Sequence, residues 1–126
     1  MNKKIIFTES APAAIGAYSQ AVGVQNTVYL SGQIPLDPES MQMVSGGFTE
    51  QAHQVFKNLS AVLSAAKLDW KHVVKLNVYL VDLNEFAELN QIMSEYLGEP
   101  YPARAAVQVA ALPKGALIEI DGIACG

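Results

Sequence analysis

Two charged residues stand where uncharged ones are the rule. Arg104 sits near the head of "PARAAVQV" (102–109), a run otherwise built from Ala, Val and one Gln. Glu119 sits in the middle of "ALIEIDGIA" (116–124), the last and strongly apolar segment. A guanidinium stays charged, and removing it from water is costly unless an anion meets it. A carboxylate in the middle of an apolar strand is out of place for the same reason. Strand parity puts Leu117, Glu119 and Asp121 on one face, with Ile118 and Ile120 on the other. If 103–109 and 117–124 are hairpin neighbours, Arg104 and Glu119 come within one or two side-chain lengths. Two readings then stand side by side. The residues neutralise each other as a buried pair, at a cost in desolvation. Alternatively they are kept for a function, with Arg104 waiting for an anion from outside the chain.

Other polar residues accompany them. "GAYSQA" (16–21) places Tyr18 just after Gly16, where its phenol either enters a cleft or packs on a hairpin. "LSGQIP" (30–35) interrupts an apolar strand with Ser31-Gly32, and a glycine there signals a bulge or a close backbone approach. Asn90 lies between apolar positions of a helix, as a site residue or an exposed amide. No metal site is expected: His53 and His72 are isolated, and neither His-Glu-x-x-His nor Cys-x-x-Cys occurs. No Gly-x-Ser-x-Gly elbow is present, and "SGG" lacks the Lys and the spacing of a phosphate loop.

The elements that must position these residues follow from periodicity. "KKIIFT" (3–8) is a short β-like run. "SQAVGV" (19–24) and "TVYLSGQ" (27–33) flank Gln25-Asn26 as a hairpin. Phe48, Ala52, Val55, Leu59, Val62 and Ala66 recur at helical spacing, with Thr49 as N-cap after Gly46-Gly47. "VVKLNVYLVD" (73–82) alternates, Val74, Leu76, Val78 and Leu80 pointing one way. Asn84 caps a second helix with the apolar face Phe86, Leu89, Met93 and Tyr96 or Leu97, ended by Gly98 and Pro100. Strands at 103–109 and 117–124 close the order βββαβαββ. Two helices are too few to cover both faces of a six-stranded sheet, so both are expected on one face of an α+β domain spanning 1–126.

Composition points the same way. Only 16% of the 126 residues are charged and 51% are hydrophobic, against roughly 25% charged in an average soluble domain. The uncovered sheet face is therefore expected to pack against another copy of the chain. Net charge is −4 with 8 Lys plus Arg, which argues against a nucleic-acid footprint. "MNKKIIF" holds too few apolar residues for a signal peptide, and no segment approaches the roughly 20 needed for a membrane span. A single cysteine, Cys125, allows no internal disulfide and suggests a cytoplasmic location.

The chain resembles the RidA family along essentially its whole length. The resemblance is carried by "GAYSQA", "YLSGQIPLDP", "VVKLNVYLVDLNEFAELN" and "PARAAVQVAALPKGALIEIDGIA". It implies a fold like the Bacillus-type chorismate mutase, a homotrimer, and sites in the clefts between subunits. It also implies hydrolysis of 2-enamine and 2-imino acids, such as 2-aminoacrylate from serine and threonine dehydratases, to 2-keto acids and ammonia, with no cofactor. By motif, Arg104 corresponds to the arginine that holds the substrate carboxylate, and Glu119 to the acid that orients or activates water. Tyr18, Gly32 and Asn90 correspond to cleft positions, and Ser31 beside Gly32 is a further candidate for binding substrate. The chain departs from the pattern at Ala105-Ala106, where many relatives have Ser-Cys; the backbone carbonyl of Ala106 remains as a binding group. Ala17 replaces a usual proline, Ser40-Met41 a usual Thr-Gly, and Lys67 a usual glycine. Three alternatives accompany the deaminase reading: a non-catalytic module binding small carboxylates such as 2-keto acids or amino acids, an endoribonuclease or translation inhibitor, and a structural trimer with a vestigial cleft.

Overall fold

The computed structural model describes residues 2–126. Six strands form one mixed sheet: β1 (Lys3–Ile6), β2 (Ala21–Val24), β3 (Thr27–Gln33), β4 (Val73–Leu80), β5 (Ala103–Gln108) and β6 (Ile118–Cys125). Their spatial order is β1-β2-β3-β6-β4-β5. All neighbours are antiparallel except β4 and β5, which run parallel. The helices α1 (Phe48–Ala65) and α2 (Phe86–Tyr96) pack together on one face. Between helices and sheet, Val55, Phe56, Leu59, Leu76, Leu80, Leu89, Ile92, Ile118 and Ile120 are fully buried. Each such side chain contributes about 1.5–3 kcal/mol of burial free energy. The element order and the one-sided helix layer agree with the sequence expectation.

Local details differ, each for a physical reason. The helix begins at Phe48 with Gly47 as cap, not Thr49. Gly46 takes φ +106°, and the Glu50 carboxylate reaches back to accept the Gly47 N–H at 2.8 Å. The second helix is entered through a short helical turn (Leu83–Glu85), capped by Asp82 accepting the Asn84 N–H at 2.9 Å. Asn84 is therefore inside the turn and is not its cap. In β4 the register against β6 shifts between Val73 and Lys75, so Val73 rather than Val74 enters the core. Lys67 and Met41, where the family pattern has glycine, adopt φ +62° and +60°. Lys67 ends α1 with its N–H donating to Ser64 O at 2.9 Å, while the Leu68 N–H donates to Leu63 O at 2.9 Å. The left-handed geometry persists without glycine, at roughly 1–2 kcal/mol for each residue.

The larger correction concerns the last two strands. They are not hairpin neighbours, because β4, α2 and β5 make a parallel crossover that sets β5 outside β4. Strand β6 instead fills the gap between β3 and β4. The segment expected as a buried strand is thus an exposed sheet edge in the single chain.

Candidate functional site

Arg104 pairs with Leu76 and Glu119 pairs with Tyr79, on opposite sides of β4. Ideal strand spacing separates their Cα atoms by roughly 14 Å. Their side chains also leave opposite faces: Arg104 shares the helix side with Leu76, and Glu119 the uncovered side with Tyr79 and Asp121. The buried Arg104–Glu119 pair is therefore overturned. The expected site residues fall into two separate groups.

The first group surrounds Glu119. Tyr18, Ser31, Gly32 and Glu119 line a cleft of about 450 Å³, walled by Pro12, Ala13, Ile15, Ile34, Leu36 and Pro113. Gly32 lies where β3 bulges between Leu30 and Gln33. A β-carbon at Gly32 would overlap the Glu119 carboxylate, with Cδ at 3.0 Å and Cγ at 3.3 Å. Any larger residue there would push that carboxylate out of its place. The Ser31 hydroxyl donates to Ser19 O, so its oxygen is left as an acceptor. The phenol oxygen of Tyr18 accepts the Ile15 N–H at 3.4 Å, which leaves its own proton to offer.

Buried amides hold the cleft walls in place. Gln20 accepts the Thr8 N–H at 2.8 Å and donates to Thr8 O at 3.0 Å and Pro12 O at 2.8 Å, fastening the loop before β2. From α1, Asn58 donates to Leu36 O at 3.0 Å and Gln51 accepts the Leu117 N–H at 2.8 Å. A buried backbone group left unpaired is costly, so these amides fix the loops they satisfy. For Gln51 and Asn58 the signal in the sequence is a polar residue inside the apolar stripe of α1.

Burial raises the Glu119 pKa above the usual carboxylate value, and the charge of Asp121 adds to the effect. Asp121 lies two residues along the same face. Its oxygens accept from Asn77 Nδ2 at 2.8 Å and from the Tyr79 hydroxyl at 2.9 Å. The carboxylate in turn raises the Tyr79 pKa. A carboxyl of raised proton affinity beside an apolar cleft suits proton transfer.

The second group surrounds Arg104. Arg104, Asn90, Met93, Ser94, Leu97, Tyr101 and Pro102 line a separate cleft of about 490 Å³. Arg104 Nη1 donates to Asn90 Oδ1 and to Met93 Sδ at 3.5 Å, and its guanidinium carbon lies 4.9 Å from the centroid of the Phe86 ring. Among the described residues, no carboxylate comes within ion-pair distance of it; the ion pair present joins Asp69 to Lys71. Ala106 lines neither cleft; it is partly buried against the core on the helix side. Phe86 and Met93 were read from the sequence as core positions only. Their spacing with Asn90 at i, i+4 and i+7 already placed all three on one helix face.

No helix of the described residues is long and apolar enough to cross a membrane. Residues 8–125 match the family model described as Endoribonuclease L-PSP. The 2-iminobutanoate/2-iminopropanoate deaminase of Rattus norvegicus is 56% identical over 122 residues, covering 97% of this chain and 89% of the relative. A RutC family protein of Pyrococcus abyssi is 51% identical over 124 residues, covering 98% of each. Among solved structures, RidA from an Antarctic Psychrobacter superposes with a TM-score of 0.94 at 55% identity, covering 98% and 99% of the two chains. TdcF of Escherichia coli, solved with bound serine, gives 0.89 at 39% identity over 98% of each. A family model spanning nearly the whole chain, and relatives more than half identical to it, make this protein a member of the RidA family.

Proposed function

We propose that this protein hydrolyses small 2-imino acids, and the 2-enamine acids that tautomerise to them, to 2-keto acids and ammonia. The observation that carries the reading is the state of Arg104: its guanidinium is seated by neutral groups, and among the described residues no anion answers its charge. A planar fork of that kind fits a ligand carboxylate bidentately. The names of the deaminase relatives and the serine bound by TdcF support a small amino-acid-like ligand.

The two clefts lie on opposite faces of one chain, so a site using both requires a second copy. We assign the uncovered sheet face to that contact, within a cyclic homotrimer. Ile5, Tyr29 and Val107 are 53%, 50% and 46% exposed on or beside it, a pattern suited to a subunit interface. Arg104 of one subunit then faces Glu119 and Tyr18 of the next.

In that composite cleft Arg104 fixes the carboxylate, and the apolar walls around Glu119 limit water. Glu119 takes a proton from one water, whose oxygen adds to the imine carbon. The nitrogen gains protons from solvent, Tyr18 or the newly protonated Glu119. Ammonia leaves as the C=O bond forms. One water is consumed and no redox step occurs. The substrate is already electrophilic, so positioning and one acid–base group suffice.

The test is a coupled assay in which a serine or threonine dehydratase releases its intermediate with and without this protein. Keto-acid release is expected to accelerate when the protein is added. An unchanged rate at saturating protein would refute the deaminase reading and favour a binding module.

A further inference from the structure

We propose that Phe86 is a positioning residue for Arg104: with Asn90 and Met93 it presents the Nε–Nη2 edge of the guanidinium, and no other, to the ligand carboxylate. The inference rests on the assignment of Arg104 to that carboxylate. A guanidinium offers two forks to an anion, the Nη1–Nη2 end and the Nε–Nη2 side. Both hydrogens of Nη1 are engaged here, one toward the Asn90 carbonyl oxygen and one toward the Met93 sulfur. The end-on fork is thereby closed, and the side-on fork remains.

Phe86 fixes the remaining freedom. Two contacts at Nη1 still allow the plane to tilt about that nitrogen. The guanidinium carbon stands 4.9 Å above the Phe86 centroid, within the range where a cation is held by a ring face. Phe86 is 38% exposed, so core packing alone does not account for a large aromatic at this position. It opens α2, one turn before Asn90, and the helix therefore carries the floor and the Nη1 clamp as one rigid unit. Asn90 acts on the arginine in this arrangement, and its carbonyl oxygen is unavailable to the ligand as a free acceptor.

The experiment replaces Phe86 and reads binding separately from turnover. In Phe86→Leu, the Kd for 2-ketobutanoate by calorimetry and the KM for imine hydrolysis are both expected to rise about tenfold, the scale of a partly desolvated cation–π contact. The kcat should change far less, and Phe86→Tyr should restore Kd and KM. Should Phe86→Leu fail to fold, Phe86→Met keeps an apolar side chain and lacks a ring face, and it is expected to behave as described for leucine. Binding as tight as that of the unaltered protein in the folded variant overturns the proposal. An unaltered protein that binds 2-ketobutanoate without hydrolysing imines refutes the deaminase reading alone, because the Phe86 effect is still read in Kd. An unaltered protein that neither binds 2-ketobutanoate nor hydrolyses imines overturns both.

Discussion

Arg104→Ala is expected to bring imine hydrolysis down to the uncatalysed rate while leaving the fold and the assembly intact. Losing a charge-assisted bidentate contact in a desolvated cleft costs of order 2–5 kcal/mol, enough to erase a modest catalyst. Stability should change little, since Arg104 is exposed in the single chain and makes no ion pair among the described residues. What the alanine variant gives up is the Asn90 hydrogen bond and the contact with Phe86. Within its own chain, among the described residues, no carboxylate loses a partner. Arg104→Lys keeps the charge but loses the fork, and should retain little activity. Steady-state rates with a thermal melt check both halves. A folded, fully active Arg104→Ala variant would return Arg104 to an ordinary edge-strand residue.

Glu119→Gln is expected to lose activity and gain stability at neutral pH. Removing a positioned acid–base group typically costs about 10²–10⁴ in rate, here bounded by the spontaneous reaction. The amide keeps the shape that Gly32 makes room for. Burial and Asp121 raise the Glu119 pKa, so the folded state binds that proton more tightly than the unfolded chain does. The contribution of such a carboxyl is fully present below its unfolded pKa and is lost as pH rises through the folded one. Glu119→Gln should therefore match the unaltered protein in acid and melt at higher temperature near neutrality. Melting curves across that range decide it, and a lower melting temperature at neutral pH would mean the carboxylate stabilises the fold.

These variants separate what was readable in the sequence from what was not. Helical spacing from Phe48 to Val62 and the parity of Glu119 against Ile118 and Ile120 are local properties, and both appear in the structure as read. Gly32 was legible as a close approach, and the Glu119 carboxylate is what approaches it. Strand order was not legible. A turn after Val109 and an apolar strand from 117 suggest a hairpin, but the parallel β4–α2–β5 crossover takes the pairing partner of β5 away from β6. That competition is decided by tertiary packing, which no local pattern encodes. The same misplacement joined Arg104 and Glu119 in one chain, when the sheet divides them. Caps at Asp82 and Gly47 instead of Asn84 and Thr49 are each displaced by two residues, where several capping types crowd together.

If one site takes Arg104 from one subunit and Glu119 from its neighbour, mixing two inactive variants restores activity. Arg104→Ala and Glu119→Ala proteins, each inactive alone, would be co-refolded at equal amounts and the mixed assemblies confirmed by two different affinity tags. In a cyclic assembly a given site draws an intact Arg104 and an intact Glu119 with even odds each, so about one quarter of the unaltered activity should return. Mixed assemblies that remain as inactive as either parent would mean that Arg104 and Glu119 of neighbouring subunits do not share a site.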